Sequence, residues 1–251
     1  MARKMPGHRL NPLLTRFTTL VQRHLSHEVV ALYLRGSAAR GDSVPGLSDI
    51  DFFVVVRDGV LGNVLSRESF YSSLNPIVED VSRRWPREAP SFRVVPLSHL
   101  STNPVGSFLT GIDAQLLLGS DVLGRIPLPS PSNLSRFGSA EFDRFSSYWA
   151  RRADEGRILG NLSEEAAYQQ YVVLKLAQTA LLSKGILKVR KQEVADAFTK
   201  EFPDFDLAYI VDQAQRLRLS WATPRREEMR SFTREATLFP QALRKHLSVK
   251  S

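Results

Sequence analysis

The 251-residue chain contains no cysteine. That excludes disulfide staples, thiolate zinc sites and cysteine nucleophiles. Long apolar stretches are also missing. The run Phe52 to Val56 is far short of the roughly 20 residues a membrane helix needs. The stretch Met1 to Leu10 is basic, but no apolar segment of signal-peptide length follows it. A cytoplasmic location and no membrane partner are therefore expected. There is no Walker loop, no Gly-x-Gly-x-x-Gly and no Gly-x-Ser-x-Gly. The five histidines, His8, His24, His27, His99 and His246, are scattered without metal-ligand spacing. What remains is an ordinary globular composition, 43% apolar and 24% charged, which argues against wholesale disorder. Lys and Arg exceed Asp and Glu by 34 to 26, for a net charge of +8 and a pI near 10.0. Such a balance suits an anionic partner, a nucleotide or RNA.

Apolar periodicity divides the chain in two. Leu10 to Leu25 repeats at helical spacing, Glu28 to Arg35 reads as a buried strand ended by Gly36, and Asp49 to Arg57 as a second. A helix is expected within Leu61 to Arg84, a third strand at Ser91 to Val95 and a fourth at Gln115 to Leu118. The Pro- and Ser-rich stretch 126–138 reads as a linker. Beyond it the pattern is helical: Ser139 to Leu159, Ser163 to Leu182, Lys191 to Phe202, Phe205 to Leu217 and Pro224 to His246. The expected fold is α+β, with a mixed-sheet domain over 1–125 and an all-helical domain over 139–251.

The chemistry concentrates in Gly36-Ser37-Ala38-Ala39-Arg40-Gly41-Asp42 and Ser48-Asp49-Ile50-Asp51. Side chains on a strand alternate faces, so Asp49 and Asp51 point the same way and Ile50 and Phe52 point into the core. Two neighbouring carboxylates repel unless a cation lies between them. A hard ion with oxygen ligands, Mg²⁺ above all, suits that pair. Gly36 lets a phosphate approach the backbone, and Ser37 with the following amides can donate to it.

This segment resembles the signature of the DNA polymerase β-like nucleotidyltransferase superfamily, closest in form to the small antibiotic (aminoglycoside/streptomycin-type) nucleotidyltransferases. The resemblance implies that Asp49 and Asp51 are the catalytic, metal-holding pair. Gly36, Ser37, Arg40 and Ser48 would form the nucleotide-binding loop, with Arg40 either contacting phosphate or bracing the loop. It further implies transfer of a nucleoside monophosphate, AMP from ATP, to a hydroxyl of a small molecule with Mg²⁺. In the helical half, Tyr171 to Gln178, Gly185 and Lys191 to Ala195 partly resemble the second domain of streptomycin/spectinomycin adenylyltransferases. There Lys191 either reaches the phosphates or belongs to a solvated run with Lys188 and Arg190. Glu141, Asp143, Asp154, Glu155, Glu164 and Glu165 are candidates to line a cationic acceptor's site.

One feature of that family is missing from the pattern. Its active members carry a third carboxylate on a later strand, here Ser91 to Pro96, whose polar face presents Ser91 and Arg93. Glu88 is the nearest acid. Arg93 is expected at the third position, paired with Asp49 or Asp51. The departure motivates an alternative: a catalytically degenerate relative that binds nucleotide or a protein partner without turnover. Nucleic acid is a less favoured partner than nucleotide plus small acceptor.

Overall fold

Helix α1 (Asn11–Leu25) forms where the apolar stripe predicts it. Its Leu13, Leu14, Phe17, Leu20, Val21 and Leu25 are all buried. They cover one face of a sheet, as an amphipathic helix must. The sheet is seen in a computed structural model that describes residues 11–85, 90–154 and 161–249. His8, Glu88 and Glu155 fall outside those residues. Contacts divide the chain into two compact units, Met1–Pro129 and Ser130–Ser251.

In the first unit, β1 (Val29–Arg35) runs into the short helix α2 (Gly36–Arg40), and β2 (Ile50–Val56) follows. Next come α3 (Val64–Arg84), β3 (Pro90–Pro96), α4 (His99–Thr102), α5 (Pro104–Gly111) and β4 (Gln115–Gly119). Strand order is β3-β2-β1-β4. The β1–β2 and β1–β4 pairs are antiparallel and β2–β3 is parallel, a mixed sheet in an α+β fold.

Both sheet faces are buried, with period two along β2. Ile50, Phe52, Val54 and Val56 join Leu32, Leu34 and the apolar sides of α1 and α3. Phe52 lies between Phe17 and Phe92, with ring centroids 4.3 and 5.3 Å away. Phe53 and Val55 join Ala31, Tyr33, Val95 and Leu100 on the opposite side. Alternation therefore assigns Asp51 to the Phe53–Val55 face, at the end of the strand where the core stops.

Helix α5 was not anticipated. Asn103 caps it by accepting from the Gly106 amide at 3.2 Å, and Pro104 takes the first position. Both residues are helix-start signals rather than loop signals.

In the second unit, α6 (Pro131–Asp154) begins eight residues earlier than the periodicity suggested. The Ser130 hydroxyl accepts from the Asn133 amide at 3.2 Å, and Pro131 occupies the first helical position. The Pro/Ser content that reads as linker over residues 131–138 is thus an N-terminal cap. Then come α7 (Leu162–Ser183), α8 (Lys191–Glu201), α9 (Tyr209–Leu219), α10 (Arg226–Ala236) and α11 (Phe239–Val249). The single last helix expected from Pro224 to His246 is two. Pro240 lies in the first turn of α11, where its missing N–H forfeits no intrahelical hydrogen bond. No described helix is long and apolar enough to cross a membrane.

Candidate active site

The β1–α2 turn and the start of β2 meet because β1 and β2 pair antiparallel, with Arg35 opposite Asp51. Gly36 follows directly and adopts φ +69°. A Cβ built on it would lie 2.7 Å from Oδ2 of Asp51. Both the left-handed backbone and the missing side chain are therefore required here. Ser37 and Gly36 form the first turn of α2, whose preceding residue Arg35 makes no side-chain cap hydrogen bond.

The loop is fastened at both ends. The Ser48 hydroxyl accepts from the Val44 amide at 2.9 Å, while the Ser48 amide donates to the Val44 carbonyl at 2.9 Å. Arg40 donates to Asp42 at 3.2 Å and to Asp113, the residue two before β4. The Arg40 and Asp113 side chains are only 12% and 13% exposed. Gln115 on β4 also donates to the carbonyl of Ala39. These contacts tie α2 to the segment that leads into β4. Asp113 carries no local motif, which is why sequence reasoning missed it.

Asp49 precedes β2 and is exposed, whereas Asp51, within β2, is half-buried. Partial burial of its carboxyl, and then the like charge of Asp51, push the Asp49 pKa above the ordinary value. The two carboxylates are thus close enough to feel one another, the condition for sharing a cation. The donor set is all oxygen. Among the described residues no group of three His, Asp or Glu gathers as a metal cluster. Two carboxylates nevertheless fit Mg²⁺, which takes one or two protein carboxylates and completes its shell with water and phosphate.

The β3 residue opposite Asp51 is Ser91, not Arg93, which lies two pairs further along opposite Phe53. The Ser91 hydroxyl donates to Oδ1 of Asp51 at 2.6 Å. At the third position, where Arg93 was expected, the residue facing Asp51 is thus a serine hydrogen-bonded to its carboxylate. The upward direction for Asp49 is also the reverse of what an adjacent guanidinium produces. Parallel register over forty residues of sequence separation could not be read from the local pattern.

In the helical unit, Lys191 is the first residue of α8. The segment before it is anchored by Gln178 of α7, whose side chain donates to the Lys188 carbonyl at 2.7 Å. Among the acidic candidates, Glu141 is paired with Arg144 within α6. Glu164 and Glu165 occupy the first turn of α7, where they complement the helix dipole.

The raised Asp49 pKa has a consequence for stability. Folding disfavours its ionised form, so this group's contribution is present below the ordinary value of 3.8 and is lost as pH rises through the raised folded value. At this exposed position solvent screening keeps the neutral-pH penalty small. Asp49→Asn should therefore raise the melting temperature of the metal-free protein slightly at neutral pH. The gain should vanish as pH falls through the aspartate range. A neutral-pH melting temperature below that of the wild type contradicts the repulsion.

Residues 14–90 match the family model described as nucleotidyltransferase domain. No curated protein matches the sequence. Among solved structures, the chain is similar to spectinomycin adenyltransferase AAD(9) from Enterococcus faecialis, determined with ATP and spectinomycin. The TM-score is 0.57 at 13% identity, over 90% of this chain and 98% of that one. The resemblance read from the motif is borne out. The matched segment holds most of α1, the Gly36–Ser37 turn and both aspartates, and the fold is similar to that of the spectinomycin adenyltransferase.

Proposed function

Starting from a nucleotidyltransferase domain over residues 14–90, we propose that the chain transfers AMP from ATP to a hydroxyl of a small molecule, with Mg²⁺. The observation that carries this reading is the meeting of two electrostatically coupled carboxylates, Asp49 and Asp51, with the side-chain-free Gly36 turn. Asp49 and Asp51 hold the cation, which when bound neutralises charge developing on the phosphoryl oxygens. Gly36 and Ser37 receive phosphate oxygens at backbone and hydroxyl donors. Ser48 and Arg40 keep the loop in place. Lys191 is the helical unit's candidate for an additional phosphate cation. The acceptor hydroxyl attacks the α-phosphorus, the bond to the β-phosphate oxygen breaks, and pyrophosphate leaves. A hydroxylated, cationic acceptor such as an aminoglycoside is the substrate class favoured by the likeness to an enzyme solved with spectinomycin.

A second reading is favoured by one observation, Ser91 standing opposite Asp51. A serine there offers no strong base for the attacking hydroxyl, and a placed base contributes roughly 10²–10⁴-fold in rate. On this reading the chain binds Mg-nucleotide without turnover. Pyrophosphate release, measured with ATP and Mg²⁺ over a panel of aminoglycosides and other hydroxylated acceptors, separates the two. Acceptor-dependent release supports transfer. Nucleotide binding with no release on any acceptor supports the non-catalytic reading.

A further inference from the structure

The geometry points to Ser91 as a positioning residue that decides which oxygen of Asp51 meets the divalent cation, and so favours Mg²⁺ over Ca²⁺. The inference rests on the nucleotide-site reading above and extends it to cation choice.

The Asp51 carboxylate is constrained on both sides. On the β3 side, the Ser91 hydroxyl reaches Oδ1 at 2.6 Å. An ionised carboxylate has no proton to give, so the hydroxyl donates. The length falls in the short range of charge-assisted O–H···O⁻ bonds. The donor is held in place by the sheet itself, because Asp51 and Ser91 are partners in the parallel β2–β3 ladder. On the β1 side, Oδ2 sits where a Cβ on Gly36 would be only 2.7 Å away. It therefore faces the turn proposed to receive phosphate.

With Oδ1 already accepting from Ser91, Oδ2 is the Asp51 oxygen that meets the cation most readily, and the bond to Ser91 disfavours a turn of the carboxylate that would present both. One oxygen per carboxylate suits Mg²⁺, which holds a strict octahedral shell and keeps waters and phosphate oxygens in it. Ca²⁺ is larger, takes more ligands and accepts both oxygens of a carboxylate. A serine that withdraws one oxygen thus penalises Ca²⁺ more than Mg²⁺. Removing the hydroxyl frees the carboxylate to turn, which weakens Mg²⁺ binding and opens the two-oxygen mode to Ca²⁺.

The test is calorimetric binding of a non-hydrolysable ATP analogue in titrations of Mg²⁺ or Ca²⁺. The proteins are the wild type, Ser91→Ala, Ser91→Thr and Asp51→Asn. Ser91→Ala is expected to need about 10-fold more Mg²⁺ for half-maximal binding, the lower end of the cost of losing a hydrogen bond to a metal-holding side chain. Its Ca²⁺ requirement should rise less or fall, so the Mg²⁺-to-Ca²⁺ preference narrows. Ser91→Thr, which keeps the hydroxyl, should retain the wild-type preference. A general structural defect in Ser91→Ala would weaken both ions alike, and that result overturns the proposal, as does an unchanged preference. If Ser91→Ala does not fold, Ser91→Cys, with its weak donor, must narrow the preference, and an unchanged one overturns the proposal. If Asp51→Asn binds the Mg²⁺-nucleotide as the wild type does, the nucleotide-site reading itself fails and the Ser91 proposal falls with it.

Discussion

Asp51→Asn should lower kcat/KM for Mg²⁺-dependent nucleotidyl transfer by at least about 10³-fold. A metal ion at a phosphoryl centre supplies several kcal/mol of charge stabilisation, and each 1.4 kcal/mol is about tenfold in rate. The substitution is nearly isosteric. Asparagine keeps a carbonyl oxygen able to accept from Ser91, whose bond to Oδ1 is 2.6 Å in the native protein. The backbone pairing of Asp51 with Arg35 and Ser91 does not involve the side chain. Folding should be preserved, and the melting temperature should stay within a few degrees of the wild type. The loss is thus expected in function and not in stability. A variant that retains most of its activity removes Asp51 from the metal-holding role.

Arg40 should behave in the opposite way, with its largest effect on stability. Its guanidinium is committed to Asp42 and Asp113, and the Arg40 and Asp113 side chains are almost fully enclosed. Arg40→Ala leaves the Asp113 carboxylate enclosed without its cation, which costs about 3–5 kcal/mol in such settings. For a chain of this size that corresponds to a fall on the order of 10 °C in melting temperature. The double variant Arg40→Met/Asp113→Leu should recover most of the loss, because replacing both charges with packed apolar groups removes the stranded one. A phosphate-contacting Arg40 predicts something else: little change in melting temperature, a weaker affinity for ATP, and no recovery in the double variant. Thermal melts of the three proteins decide between bracing and phosphate contact.

The contrast between Asp51 and Arg40 also marks what local sequence can carry. Asp49, Ile50, Asp51 and Phe52 declare their faces by alternation alone, and Ile50 and Phe52 do join the core beneath α1 and α3. Gly36 was legible as a turn, and its φ of +69° is the physical reason. The partners of these residues were not legible. Ser91 reaches Asp51 across 40 positions of chain, and Asp113 reaches Arg40 across 73. Both contacts depend on strand order and register, which no local period encodes. Arg93 was set opposite the aspartates for that reason, and the parallel ladder places it two pairs along, opposite Phe53. The helix errors have a different origin. Asn103-Pro104 and Ser130-Pro131 carry cap and first-turn chemistry, but the same residues also punctuate loops. Composition favours the linker at Ser130-Pro131, and no expectation is set at Asn103-Pro104.

The most direct test of the account is the position of a divalent cation in a crystal of the protein with a non-hydrolysable ATP analogue, using Mn²⁺ in place of Mg²⁺. Anomalous scattering locates the ion without reference to any assumed site. The account predicts a peak held by Asp49 and by Oδ2 of Asp51, about 2.1 Å from its oxygen ligands, with the triphosphate against Gly36 and Ser37. A nucleotide bound elsewhere, or a cation that touches neither aspartate, contradicts it.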